Sequence, residues 1–216
     1  MHKPKPAHCA TAGHDRAADR AAAFEFHHEQ RYFFEVSAAL KVPHRVVRHD
    51  RATSTCGEKA ALLGWDVERM VKAVFFSCDG KVIGVVLPDI GKIDQKRLFH
   101  AALGMPAKQA KRFVCGGFVP AGMEAGTCTP FPRESSMGKD IQKIVVIDYP
   151  KIDHQFVDIS VGGLGDDAHK VSVHIPYGGI YRILRHRFGE SIVRAPLHSG
   201  GSHASHNHGL DHVTRC

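Results

Sequence analysis

The stretch Val71–Leu87, VKAVFFSCDGKVIGVVL, decides how the chain folds. Val71–Ser77 and Lys81–Leu87 are apolar, β-branched runs, and Cys78-Asp79-Gly80 joins them. An Asp-Gly pair between two such runs marks a hairpin, because its residues accept the positive φ of a tight turn. A lone lysine, Lys72, interrupts the first run. A cation among residues destined for a core is costly unless it reaches an anion, a carbonyl or water. Two readings follow: a lysine at a strand end that snorkels to solvent, or a cation set into a site.

Outward from the hairpin, helices and further strands alternate irregularly. Phe24–Leu40 has helical spacing, with Phe33, Phe34, Val36 and Leu40 on one face, and Pro43 ends it. His44–Arg48 reads as a short strand. Ser54 or Thr55 caps a helix that runs through Leu63 and stops at Gly64, and Asp94 caps another through Leu103, closed by Gly104. Ile141–Ile147, Phe156–Ser160 and Lys170–His174 read as strands. Pro176 introduces a last helix, Tyr177–Phe188, which Gly189 ends. Hairpin and interleaved helices together predict an α+β fold with a mixed sheet rather than a doubly wound parallel one.

The chain has 216 residues, 43% of them hydrophobic and 24% charged, enough for one good core. Three segments are expected: a flexible extension over 1–23, a folded domain over 24–190 and a disordered His-rich tail over 191–216. No run of apolar residues is long enough for a membrane span, and the N-terminal residues lack a secretory pattern, so a cytoplasmic protein is expected. The six cysteines are scattered without a CxxC pair and read as reduced thiols. A net charge of +7 suits a polyanionic partner, RNA first. Lys108, Lys111 and Arg112 form one basic cluster; Arg182, Arg185 and Arg187 form another.

A second informative stretch is Gly122–Pro132, GMEAGTCTPFP. Gly126 and Pro130 restrict the backbone so that its N–H groups can be aimed at a ligand, although surface turns of this composition are also common. Cys128 is either a small packed thiol, the favoured reading, or a nucleophile that needs one of the histidines as base. Ser160-Val161-Gly162-Gly163, with Asp166-Asp167 beyond, is a strand end entering a glycine turn; Ser160 can hydrogen-bond a ligand near the neighbouring loop. The tail histidines His198, His203, His206, His208 and His212 can bind transition metals adventitiously but lack a rigid scaffold.

Met70–Phe76, Gly122–Phe131, Ile144–Asp148 and Ile159–Gly163, in that order, resemble the YbaK/EbsC family, free-standing relatives of the editing domain of bacterial prolyl-tRNA synthetase. The resemblance covers roughly Phe33–Glu190. It implies a curled, barrel-like mixed sheet with surrounding helices and the hydrolysis of mischarged aminoacyl-tRNA without metal or cofactor. It assigns Lys72 as the catalytic lysine and Gly126, Thr127, Cys128, Thr129 and Pro130 as the loop that holds the aminoacyl end. Ser160, Gly162, Gly163 and Asp167 fall where relatives line the pocket. The implied partners are the acceptor end of aminoacyl-tRNA and an aminoacyl-tRNA synthetase; the alternative is a non-catalytic RNA-binding or regulatory member. Ala73 follows the lysine where the alanine-clearing subgroup carries asparagine, and the Pro132–Gln142 stretch is longer than usual.

Overall fold

A computed structural model of the chain describes residues 28–53, 55–115, 119, 126–131, 141–162 and 168–197. Among them run α1 (His28–Ala39), β1 (Arg45–Arg48), α2 (Cys56–Leu63), β2 (Met70–Cys78), β3 (Lys81–Pro88), α3 (Gln95–Leu103), α4 (Ala107–Ala110), β4 (Ile141–Asp148), β5 (Phe156–Ile159), β6 (Val171–Pro176), α5 (Tyr177–Phe188) and β7 (Ile192–Pro196). The strands form one mixed sheet in the order β1-β6-β5-β2-β3-β4-β7. It curls without closing, since β1 and β7 do not pair, and the α+β class follows from it. The hairpin β2–β3 lies at its centre, antiparallel and in register from Val71↔Pro88 to Cys78↔Lys81. Parallel neighbours flank that hairpin, β5 against β2 and β4 against β3.

Local chemistry sets the helix ends where the sequence places them. The Thr55 side chain accepts from the Glu58 amide while Glu58 reaches back to the Thr55 amide, a reciprocal cap for α2 worth about 1 kcal/mol. Gly64 ends α2 and Gly104 ends α3, both left-handed. Asp94 accepts from the Lys96 and Arg97 amides at the start of α3.

Because side chains alternate across a strand, the sheet has two different faces. Val71, Ala73 and Phe75 of β2 join Val86, Ile144, Val157, Ile159, Val173 and Ile175 beneath α1 and α5, whose Phe33, Val36, Ile180 and Ile183 complete the first core. Gly84 belongs there: a Cβ on it would stand 3.1 Å from the Phe75 ring, so the small residue makes room for the aromatic one. Phe76, Ile83, Val85, Leu87, Val145 and Ile147 point the other way, under Leu98 and Phe99 of α3 and Ala110 of α4.

One boundary needs correction. The folded domain was expected to end at Glu190, yet Ile192–Pro196 forms β7, paired in parallel with Ile144–Asp148. Ile192 and Ala195 are buried, so these apolar residues belong to the sheet and not to the Ser/Gly/His-rich segment that follows. The extension over 1–23 and most of the tail lie outside the described residues. Among the described residues no helix is long and apolar enough to cross a membrane.

Candidate active site

Lys72, Val74 and Phe76 alternate onto one face of β2, the face that α3 and α4 cover. Lys72 lies near the strand's start, beyond the end of that core, and its side chain keeps 37% of its surface exposed. Its ammonium donates to Asp89 Oδ1 at 2.6 Å. Asp89 reaches it because Val71 pairs with Pro88, which carries residue 89 just past the end of the ladder; there its amide donates to Met70 O at 2.8 Å. Lys72 is therefore neither buried nor merely solvated: it is a tethered cation at a rim.

On the other side of β2, the ladder with β5 ends at Val71↔Ile159. The next residues along the two parallel strands are Lys72 and Ser160. Ser160 Oγ donates to Thr127 O at 3.0 Å and accepts from the Gly162 amide at 3.2 Å. One hydroxyl thus ties the glycine turn to the Gly126–Pro130 loop, two segments that stand more than 30 residues apart in the chain. Gly162 adopts φ +84°, and a Cβ there would lie 2.8 Å from Thr129 Cγ2. The sequence offered Ser160 as a group for a ligand; in the structure its proton is already committed to the loop, and its role is that of a brace.

The loop itself is anchored inward. Thr127, Thr129, Pro130 and Phe131 are buried, and Phe131 packs on Phe33 with ring centroids 4.8 Å apart. The Phe131 amide donates to Thr129 Oγ1. Gly126 is exposed at φ +88° and turns the chain into the loop. Cys128 is half-buried against the first core, as the packed-thiol reading expects. Gly163 and Asp167 lie outside the described residues.

Besides the Asp89 tether, sequence reading missed two features. Cys56 opens α2, and burial followed by the charge of Asp89 pushes its thiol up to about 11, with Lys72 and Lys59 pulling the other way. A thiol so placed stays protonated at neutral pH. The second is a polar network beneath α2, on the face of β5 and β6 that also holds Lys72. Asp158 of β5 is buried, with Lys59 Nζ 3.4 Å and His174 Nε2 3.3 Å from its carboxylate. The Ser172 hydroxyl donates to Asp158 Oδ2, so His49 Nε2, 2.9 Å from Ser172 Oγ, is the donor in that contact. The Trp65 ring lies over His174, and the Arg69 guanidinium stacks on Trp65. Burial by itself would raise the Asp158 pKa, but His174, Lys59 and Ser172 together hold it below the usual carboxylate range. Burial, with Lys59 next, lowers the pKa of His49. The hairpin register was the available signal for Asp89; nothing in local spacing pointed to Asp158.

The two basic clusters separate. Lys108, Lys111 and Arg112 project with Lys96 and Arg97 from α3–α4, on the face that carries Lys72, and all five are exposed. On the opposite face, Arg182 donates to Leu40 O and Arg185 pairs with Glu190. Among the described residues no group of three or more His, Cys, Asp and Glu is arranged to hold a metal ion.

No protein-family model matches the chain, and no curated protein matches it. Solved structures do share its fold. One, described as "a putative trans-editing enzyme for prolyl tRNA synthetase", superposes with a TM-score of 0.56 at 13% identity, over 82% of this chain and 100% of its own. A hypothetical protein gives 0.54 at 17% identity, over 76% and 97%. A third, from work on epitope backbone grafting onto scaffold proteins by computational design, gives 0.51 at 15% identity, over 81% and 100%. At these identities the likeness is one of fold.

Proposed function

We propose that the chain is a trans-acting aminoacyl-tRNA deacylase, hydrolysing the ester of mischarged tRNA, with cysteine or another small amino acid on tRNA for proline as the first substrate class. The observation that carries this reading is the tethered, partly exposed ammonium of Lys72 at the point where β2 and β5 part, where Ser160, next along β5, is bonded to the Gly126–Pro130 loop. The order of motifs shared with the YbaK/EbsC family supports it, and so does the fold shared with a structure described as a trans-editing enzyme.

An aminoacyl ester is already activated, so placing it and stabilising its oxyanion supply much of the acceleration. Lys72 contributes the cation, and the backbone of Gly126–Pro130 contributes donors and a wall. Water attacks the carbonyl carbon and the tRNA ribose oxygen departs; no protein nucleophile is required, in keeping with a half-buried Cys128 and a protonated Cys56. Gly162 sets the loop's position in this reading, and roles for Gly163 and Asp167 rest on the family resemblance alone. The α3–α4 cations suit the phosphates of an acceptor stem. A cytoplasmic location and a synthetase partner belong to the same reading.

Incubating the full chain with tRNA for proline charged with cysteine, alanine or serine tests it. Ester hydrolysis above the spontaneous rate, lost in Lys72→Ala, is the expected result. Binding of tRNA without hydrolysis of any ester would favour the non-catalytic RNA-binding reading, to which the exposed α3–α4 cations lend weight.

A further inference from the structure

Asp89 offers more than a tether. Its Oδ1 accepts from Lys72, but among the described residues its Oδ2 has no hydrogen bond or ion pair, and a quarter of the side chain is exposed. The site therefore presents an ammonium and a carboxylate side by side, 2.6 Å apart, both open to the same rim. An aminoacyl ester presents the complementary pair. Its carbonyl oxygen and its α-ammonium sit on adjacent carbons, so the first can meet Lys72 Nζ while the second meets Asp89 Oδ2. A charged donor facing a charged acceptor makes the stronger class of hydrogen bond, and a partly desolvated carboxylate left without one is penalised.

We propose that Asp89 is a specificity-determining residue that receives the free α-ammonium of the aminoacyl group, so that the site accepts aminoacyl esters and rejects N-acylated, peptidyl-like ones. The proposal rests on the deacylase reading and adds a chemical requirement on the substrate. It also gives Asp89 a second partner beside Lys72. Before substrate arrives it restrains a lysine that has four rotatable bonds; with substrate bound it holds the amine while Lys72 turns its remaining protons to the carbonyl oxygen.

The test compares a small amino acid on tRNA for proline with the same tRNA after N-acetylation of the amino acid, each rate divided by its spontaneous hydrolysis. The full chain should favour the free amine by about 10- to 100-fold, the usual range for losing a charge-assisted contact in a polar site. Asp89→Asn should cut hydrolysis of the free-amine ester and bring the ratio close to one, and Asp89→Glu should restore much of the preference. Thermal unfolding of each variant separates loss of the contact from loss of the fold. Equal hydrolysis of both esters by the unaltered chain would overturn the proposal while leaving the deacylase reading intact. A folded Asp89→Asn chain that keeps the full preference would do the same. If the unaltered chain hydrolysed neither ester, the deacylase reading itself would fall, and the proposal with it.

Discussion

Gly162 and Thr129 are packed so closely that no side chain fits between them: a Cβ on Gly162 would meet Thr129 Cγ2 at 2.8 Å, in a backbone conformation at φ +84° that L-residues avoid. Gly162→Ala should therefore cost both strain and contact, about 1–2 kcal/mol for the φ alone, and should displace the loop that Ser160 braces. Deacylation should fall at least tenfold. Adding Thr129→Ser removes the clashing methyl and should recover part of the loss in rate and in thermal midpoint, leaving the φ component. No recovery in the double variant would mean that the contact is not what couples the two segments.

Lys72→Ala should lower deacylation on the order of 100-fold or more with at most a modest loss of thermal stability, since one preorganised electrostatic contact is lost while the Asp89 it leaves is open enough for water to reach. Single-turnover rates on charged tRNA, with circular dichroism to confirm the fold, provide the measurement. A well-folded variant with unchanged turnover would remove Lys72 from the chemistry.

Acid should destabilise the protein through the network under α2. Asp158 has a lowered folded pKa, so its contribution is present above the unfolded carboxylate pKa and is lost as pH falls through the folded value. His49 is also lowered, from 6.5; the unfolded chain takes up that proton first, so stability begins to fall as pH drops below about 6.5 and continues to fall to the folded value. Urea midpoints should decline from pH 7.5 to pH 5, and His49→Gln should flatten that slope. Asp158→Asn strands Lys59 and should cost about 3–5 kcal/mol at neutral pH. A midpoint independent of pH between 7.5 and 5 would contradict the assignment.

Loop variants should divide by what they alter. Gly126→Val places a β-branched residue at φ +88° and should abolish activity. Cys128→Ser keeps the size of a half-buried side chain and should retain most activity at a modest cost in stability. If folded Cys128→Ser and Cys128→Ala are both inactive, and mass spectrometry traps an acyl-enzyme, a thioester route replaces attack by water.

Much of this architecture is legible in the residues because it is fixed locally. The Asp79-Gly80 turn, the Thr55 and Asp94 caps and the glycines that close α2 and α3 depend on neighbours a few positions away. Lys72 stood out because its run is otherwise apolar. Its partner did not, because Asp89 is reached only through the hairpin register, 17 residues on. Asp158 was harder still: it sits in an ordinary strand pattern, and its meaning comes from Lys59, Ser172 and His174, which the sheet order assembles. The tail boundary failed for a related reason. A five-residue strand at a sheet edge carries too little periodicity to announce itself before a low-complexity segment.

Among the described residues that unclosed sheet has two borders, β1 and β7, and an exposed border is a template on which another chain can add a strand. On β1 the border strand is only four residues long, with an exposed arginine at each end. On β7 it is five residues long and ends at Pro196, which has no amide proton to offer, while its Arg194 is held by Asp153 at 2.6 Å. Both borders are short, and along β1 the exposed Arg45 and Arg48 set like charges against each other if two copies meet there. A sheet with borders this short, one ending in proline and the other flanked by arginines, offers a second chain little to add a strand to.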